Sequence, residues 1–172
     1  DGNHCTVGKG RWCHYIRNPI MKSFKTFVTE STKVTLYRGH GKGSDTKFMT
    51  WWSTDKELAT GYAKARENGK VDSKTFNLKS VLNLSHDSFK LNPTSLAGMA
   101  IKGADRSKLD MDVARSEMKV FKDFFGNNEL KTMEYWKDNK SKESIVRFLK
   151  VFGYDAVSIK EDGISTYGIF EG

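Results

Sequence analysis

Apolar positions along the chain follow helical and strand periods by turns. Ile20, Met21, Phe24, Phe27 and Val28 fall at i, i+1, i+4, i+7 and i+8, one face of a helix with Asn18 as cap and Pro19 in its first turn. In "KVTLYRG", Val34 and Leu36 alternate with Thr35 and Tyr37, a strand that stops at Gly39. "KFMTWWS" is a second extended run after a Gly-rich turn. Thr54 and Glu57 then have the spacing of a capping box, with Thr54 as cap of a helix carrying Leu58, Ala59, Tyr62, Ala63 and Ala65 to a stop at Asn68-Gly69.

"KVDSKTFNLKSVLNLS" alternates partially and reads as extended, and residues 87–105 read as loop. A helical zone over about 107–138 breaks at Gly126-Asn127-Asn128. "SKESIVRFLKVFG" is an amphipathic helix with Ile145, Phe148, Leu149 and Phe152 inward and Gly153 as its stop. Two β-rich runs around Glu161-Asp162-Gly163 predict a closing hairpin, since Asp-Gly favours the tight turn. Helices and strands in this order predict an α+β domain rather than a doubly wound sheet, which needs regular β-α-β alternation.

Composition narrows the class. The 172 residues are 37% hydrophobic and 29% charged, enough for one domain with a proper core. No apolar run approaches the ~20 residues of a bilayer span. With Asp1 first and no basic-then-apolar leader, the chain is expected to be a piece of a longer polypeptide acting in the cytoplasm. The net charge is +8, of which +6 falls in residues 1–50, so an acidic partner, a phosphate-bearing cofactor or nucleic acid is favoured over a basic one. A solvated basic face accounts for the same charge. His4, Cys5, Cys13 and His14 are four possible zinc ligands in a spacing that matches no common finger, and free thiols are the expectation. No G-x-G-x-x-G or G-x-x-x-x-G-K-[ST] occurs, so neither dinucleotide fingerprint nor P-loop is supported.

The densest chemistry lies in "LYRGHG…WWSTDKELATGYA". Tyr37-Arg38-Gly39 ends one strand, Trp52-Ser53-Thr54-Asp55 ends the next, and Tyr62 stands on the following helix. This order resembles the nicotinamide-binding half of ADP-ribosyltransferases, of the diphtheria-toxin-like and phage-polyprotein groups. "GYDAVSIKEDGISTYGIF" resembles the family's closing turn and hairpin, and the likeness spans about residues 33–170. It implies a split β-sandwich core flanked by helices, with residues 1–32 as a basic N-terminal segment and helix.

It further implies mono-ADP-ribosyl transfer from NAD+ to a macromolecular target, in a phage or toxin effector setting. Cleavage of the N-glycosidic bond passes through a cationic sugar, and a flat cationic ring is held by aromatic faces. Tyr37, Arg38, Gly39, Trp52, Ser53, Thr54 and Tyr62 are the implied cofactor-binding set, with Arg38, Ser53 and Thr166 at the catalytic positions. Gly39 would let backbone approach the carboxamide; Arg38 offers a fork to phosphate or ribose oxygens.

Bland readings stand beside these. Trp51 and Trp52 point to opposite faces of a strand, and Trp51 is expected in the core. Thr54 serves as a cap, Tyr62 as core or as site wall, and His40 as a loop residue. The family's glutamate in the last strand aligns with Thr166, which carries no charge to stabilise the cationic sugar; Glu161 and Glu171 are poorly placed to replace it. A non-catalytic binding or virion-structural member of the fold, and a basic nucleic-acid-binding module, are the alternatives.

Overall fold

The computed structural model describes residues 32–44, 47–85, 93–126, 134–161 and 163–171. The expected N-terminal helix, the His4/Cys5/Cys13/His14 group and most of the basic first third lie outside them.

The chain runs through β1 (Thr32–His40), β2 (Met49–Ser53), α1 (Lys56–Lys64), β3 (Lys70–Leu78), β4 (Val81–Ser85), α2 (Pro93–Gly103), a 3-10 turn (Arg106–Lys108), α3 (Met111–Phe125), α4 (Glu134–Lys137), α5 (Asn139–Val151), β5 (Ala156–Glu161) and β6 (Ile164–Phe170). The class is α+β as expected. All six described strands belong to one mixed sheet, ordered β3-β1-β2-β6-β5-β4, rather than to two sheets of a sandwich. β4 and β5 run parallel and every other neighbour is antiparallel.

The sheet is nevertheless nearly divided. β1 pairs with β3 along its whole length, from Thr32↔Leu78 to His40↔Lys70. β2 pairs with β6 along all five of its residues, from Met49↔Phe170 to Ser53↔Thr166. Between these ladders, β1 and β2 meet only at Tyr37↔Ser53.

Strand alternation divides the core. Val157, Phe170, Leu82, Leu84 and Met49 face the helices and pack with Phe121, Phe125, Phe148 and Phe152. Their neighbours Ala156, Ile169 and Trp52 turn the other way, into a smaller cluster with Leu36 and Leu78. The closing hairpin forms as the Asp-Gly signal predicts, with Glu161 opposite Ile164 and Gly163 at φ +83°. Helix α5 carries the expected inward set, and Asp138 caps it by accepting from Ser141 N at 2.8 Å.

Three expectations need correction. The run read as one extended stretch turns at Lys79-Ser80 and forms two strands. There Asp155 Oδ2 accepts from Lys79 N and Ser80 N, at 2.7 and 3.2 Å, and Asp155 thereby locks the turn against β5. Part of the segment read as loop is α2, whose buried Leu96, Ala97 and Ala100 do follow a helical period. Gly98 and Gly103 lowered the apparent helix propensity, while alanines gave a weak apolar signal. The cap of α1 is Asp55, not Thr54: Asp55 Oδ1 accepts from Leu58 N at 2.9 Å, one residue later than the capping-box spacing implied.

Gly39 explains how α1 reaches the sheet. A Cβ there would overlap the Ala59 carbonyl oxygen and stand 2.8 Å from Ala63 N, so the helix backbone lies directly on β1. The buried Ala59 and Ala63 are the matching small residues on the helix. Gly39→Ala is therefore expected to lower stability by about 2–3 kcal/mol, since the clash is with backbone that cannot turn aside. The urea midpoint should fall without a change of slope.

Candidate functional site

One row of the sheet crosses the joint. Tyr37 on β1 lies opposite Ser53 on β2, Ser53 opposite Thr166 on β6, and Thr166 opposite Ile159 on β5. Alternation brings these four to one face, and all of them line a cavity of about 770 Å³. Leu58, Tyr62 and Arg66 border it from α1 and the turn after it; Trp136, Lys137 and Lys142 border it from α4 and α5. The volume lies within the ~300–1,000 Å³ range of small-molecule sites.

Seven of the eight residues singled out from the sequence line this cavity: Tyr37, Arg38, Gly39, Trp52, Ser53, Tyr62 and Thr166. Thr54 does not. It is exposed on the outer side of β2, where its Oγ1 donates to the Ser165 carbonyl at 3.1 Å and accepts from Ser165 N at 3.3 Å. Thr54 thus ties the end of β2 to β6, a structural duty rather than a binding one.

Both tryptophans line the cavity; Trp51 also packs against the larger core, as expected of it, while Trp52 belongs to the smaller one. Trp52 is only 8% exposed, stands edge-on to Phe76 with centroids 5.0 Å apart, and donates from Nε1 to Thr50 Oγ1 at 2.8 Å. Thr50 in turn donates to Glu171 Oε1 at 2.7 Å, so the indole of Trp52 is committed to the smaller core. Trp51 is the half-buried indole on the cavity's face. A Cβ on Gly168, its partner on β6, would meet Trp51 Cη2 at 3.2 Å, and the ring stands at 75° to Trp136 with centroids 6.0 Å apart. Strand alternation alone could not rank the two, because both faces of β2 are covered.

Ser53 is 5% exposed, and its Oγ accepts from Asp55 N at 3.0 Å, which holds the strand-to-helix turn and fixes the hydroxyl. Tyr62 is 58% exposed and hence no core residue; its phenol stands at the mouth. Arg38 borders the cavity although alternation sends its side chain to the face of Leu36, opposite Tyr37. Gly39 also borders it, but its lack of a side chain is used by α1. His40 closes β1 with Nε2 2.8 Å from Asp72 Oδ2 on β3, outside the cavity lining.

The sequence reading missed Trp136, Lys137 and Lys142, whose helices lie some eighty residues beyond the motif. Lys142 is 6% exposed, and its Nζ lies 3.4 Å from Asn139 Oδ1. It is thus a buried cation in the cavity wall. The one clue in the sequence was position: Lys142 falls three residues before Ile145 and seven before Leu149, on the inward face of α5.

The lining groups give the site its character. Arg38, Arg66, Lys137 and Lys142 are cationic, Tyr37, Trp51, Trp52, Tyr62 and Trp136 are aromatic, and among the described residues no carboxylate lines the cavity. Among those residues no three His, Cys, Asp or Glu side chains converge as a metal ion would require, and no helix is long and apolar enough to cross a membrane. No family model, curated protein or solved structure matches the chain.

The helix that presents Lys142 has a titratable support. Hydrogen bonds from Ser141, backbone first and hydroxyl second, hold the Asp138 carboxyl below the ordinary carboxylate range. A folded-state pKa below the unfolded one adds stability above the unfolded pKa of 3.8, lost as pH falls through the folded value. Asp138→Asn should lessen the loss of stability below about pH 4. Unfolding midpoints measured from pH 2.5 to 6 in both proteins check this.

Proposed function

We propose that the cavity binds NAD+, as its resemblance to ADP-ribosyltransferases implies. The observation that carries the reading is the convergence of aromatic faces and cations over the Tyr37–Ser53 joint, with no carboxylate among the described lining. The nicotinamide stacks against Trp51 and Tyr62, where an aromatic face attracts a planar cation. The pyrophosphate turns toward Lys142, which supplies a charge-assisted contact from a partly dry wall.

Transfer of ADP-ribose asks for more than binding. Departure of nicotinamide leaves positive charge on the ribose, and the residue facing Ser53 across β6 is Thr166, which offers only a hydroxyl dipole. The domain is accordingly proposed as a binding member of the ADP-ribosyltransferase type, one in which transfer is weak or lost for want of that carboxylate.

At ten times its Kd, NAD+ is expected to raise the melting temperature by about 3–6 °C. Tyr62→Ala, at a largely exposed position, should weaken binding about tenfold with little loss of stability. No shift at millimolar NAD+ in the unaltered protein removes the reading.

Thr166→Glu is expected to bring NAD+ hydrolysis, or transfer of label from a tagged analogue, at least tenfold above the unaltered protein. An inert variant that still binds NAD+ would mean that position 166 does not face the ribose. Robust label transfer by the unaltered protein would instead establish a transferase that does not need this acid.

A further inference from the structure

We infer that the chain preceding β1 docks on α3, laying the apolar face predicted for residues 20–28 along Val113, Val120 and Phe124. Such docking does not depend on what the cavity binds.

Among the described residues the exposed large hydrophobics are Tyr62, at the cavity mouth, and Met111, Val113, Val120 and Phe124, all on α3. One exposed apolar side chain calls for no explanation, whereas an aligned group does. Val113, Val120 and Phe124 stand at i, i+7 and i+11, each about half exposed, and so form a stripe along the helix. Ala114, Phe121 and Phe125 are the residues that α3 buries. The helix thus has a core face and, roughly a quarter-turn round, a second apolar face open to solvent.

Chemistry on both sides names the occupant. The sequence predicts an amphipathic helix outside the described residues, with Ile20, Met21, Phe24, Phe27 and Val28 on one face. A helix of about a dozen residues is marginal in water and needs a surface on which to bury that face. Residues 1–31 hold five Lys or Arg against two acids, and Lys22 and Lys25 fall along one flank of the apolar face. On α3, Asp112 and Asp123 are exposed along the flank of the stripe away from α5. On the other flank Glu117 is matched by Arg147 at 2.8 Å, so the border of the stripe is acidic on balance. An apolar face with a basic edge meets one with an acidic edge.

The segment also joins the described chain within reach of α3. Thr32 pairs with Leu78, and Asp155, just past α5, accepts from the next two residues, Lys79 and Ser80. Near that end of α5, Phe148 packs on Phe121 of α3 with centroids 4.4 Å apart, and Phe124 follows three residues on. The four residues from Val28 to Thr32 span up to ~13 Å, and a helix of about twelve residues adds ~18 Å. A tethered segment faces the stripe at an effective concentration in the millimolar range, which favours it over a second copy of the chain.

Nuclear magnetic resonance of the whole chain, with its valine methyls labelled, tests the docking. Nuclear Overhauser effects are expected between the Val113 and Val120 methyls and the Phe24 and Phe27 rings. Amide exchange over residues 21–28 should be at least about tenfold slower than in an unstructured chain. Phe24→Ala and Phe124→Ala should each lower the melting temperature by about 2–4 °C, and the double variant by little more than the larger single loss. Fully additive losses, free-chain exchange over 21–28, or valine methyls in contact with some other segment overturn the inference. A dimer in sedimentation velocity that Val120→Lys dissolves gives the face to a second copy and overturns it likewise.

Discussion

A single strand pairing governs the architecture of the site. β1 and β2 meet only at Tyr37↔Ser53, while each is fully engaged with its other neighbour. A longer ladder between them would close the sheet over the place where the cavity lies. A missing pair would let the β3–β1 ladder separate from the rest. One pairing leaves the two ladders joined yet free to diverge, and the residues at the join become the floor of the cavity.

Such a joint is weak by itself, so the chain braces it from outside. Helix α1 leaves β2 through the Ser53–Asp55 turn and lies back over β1, where Gly39 admits its backbone. Thr54 clasps Ser165 on the far side, and the Trp52–Thr50–Glu171 chain ties the middle of β2 to the end of β6. The helical wall is fixed separately, by the phenylalanine contacts of α3 with α5 and by Arg147 paired with Glu117. The two walls thus reach the cavity through different packing, which permits one to be altered without dissolving the other.

What the sequence disclosed follows from this division. Local signals were reliable where neighbours in the chain are also neighbours in the structure. The β1 alternation, the Asp-Gly hairpin and the apolar face of α5 are of this kind. The gathering of Tyr37, Ser53 and Tyr62 was legible too, because strand, strand and helix follow one another closely. Three things were hidden for physical reasons. Trp51 and Trp52 could not be ordered while both faces of β2 were covered. Asp55 and Thr54 both satisfy cap chemistry, and only the backbone path chooses between them. Trp136 and Lys142 are brought to the site by long-range packing, and no local period reports what a helix's inward residue will face. Gly39 shows the converse error: a small residue beside a cavity was read as room for a ligand, whereas the room is taken by Ala59.

The electrostatics carry the last step. In an ordinary catalytic cleft for glycosyl transfer, a carboxylate near the ribose offsets the developing cation, and surrounding cations restrain the phosphates. Here the described lining keeps the second half of that arrangement and lacks the first. A lining whose described charged groups are all cations favours the phosphates of a bound nucleotide and opposes positive charge on its sugar, so it stabilises the ground state more than the transition state. A site of that kind holds its ligand better than it cleaves it. Aromatic faces lessen the penalty for the pyridinium through their quadrupoles, but that attraction fades for charge lying off the ring face, as charge on the ribose would. On the NAD+ reading we propose, affinity and catalysis are set against each other at Thr166, where one side chain would decide whether charge on the sugar is offset.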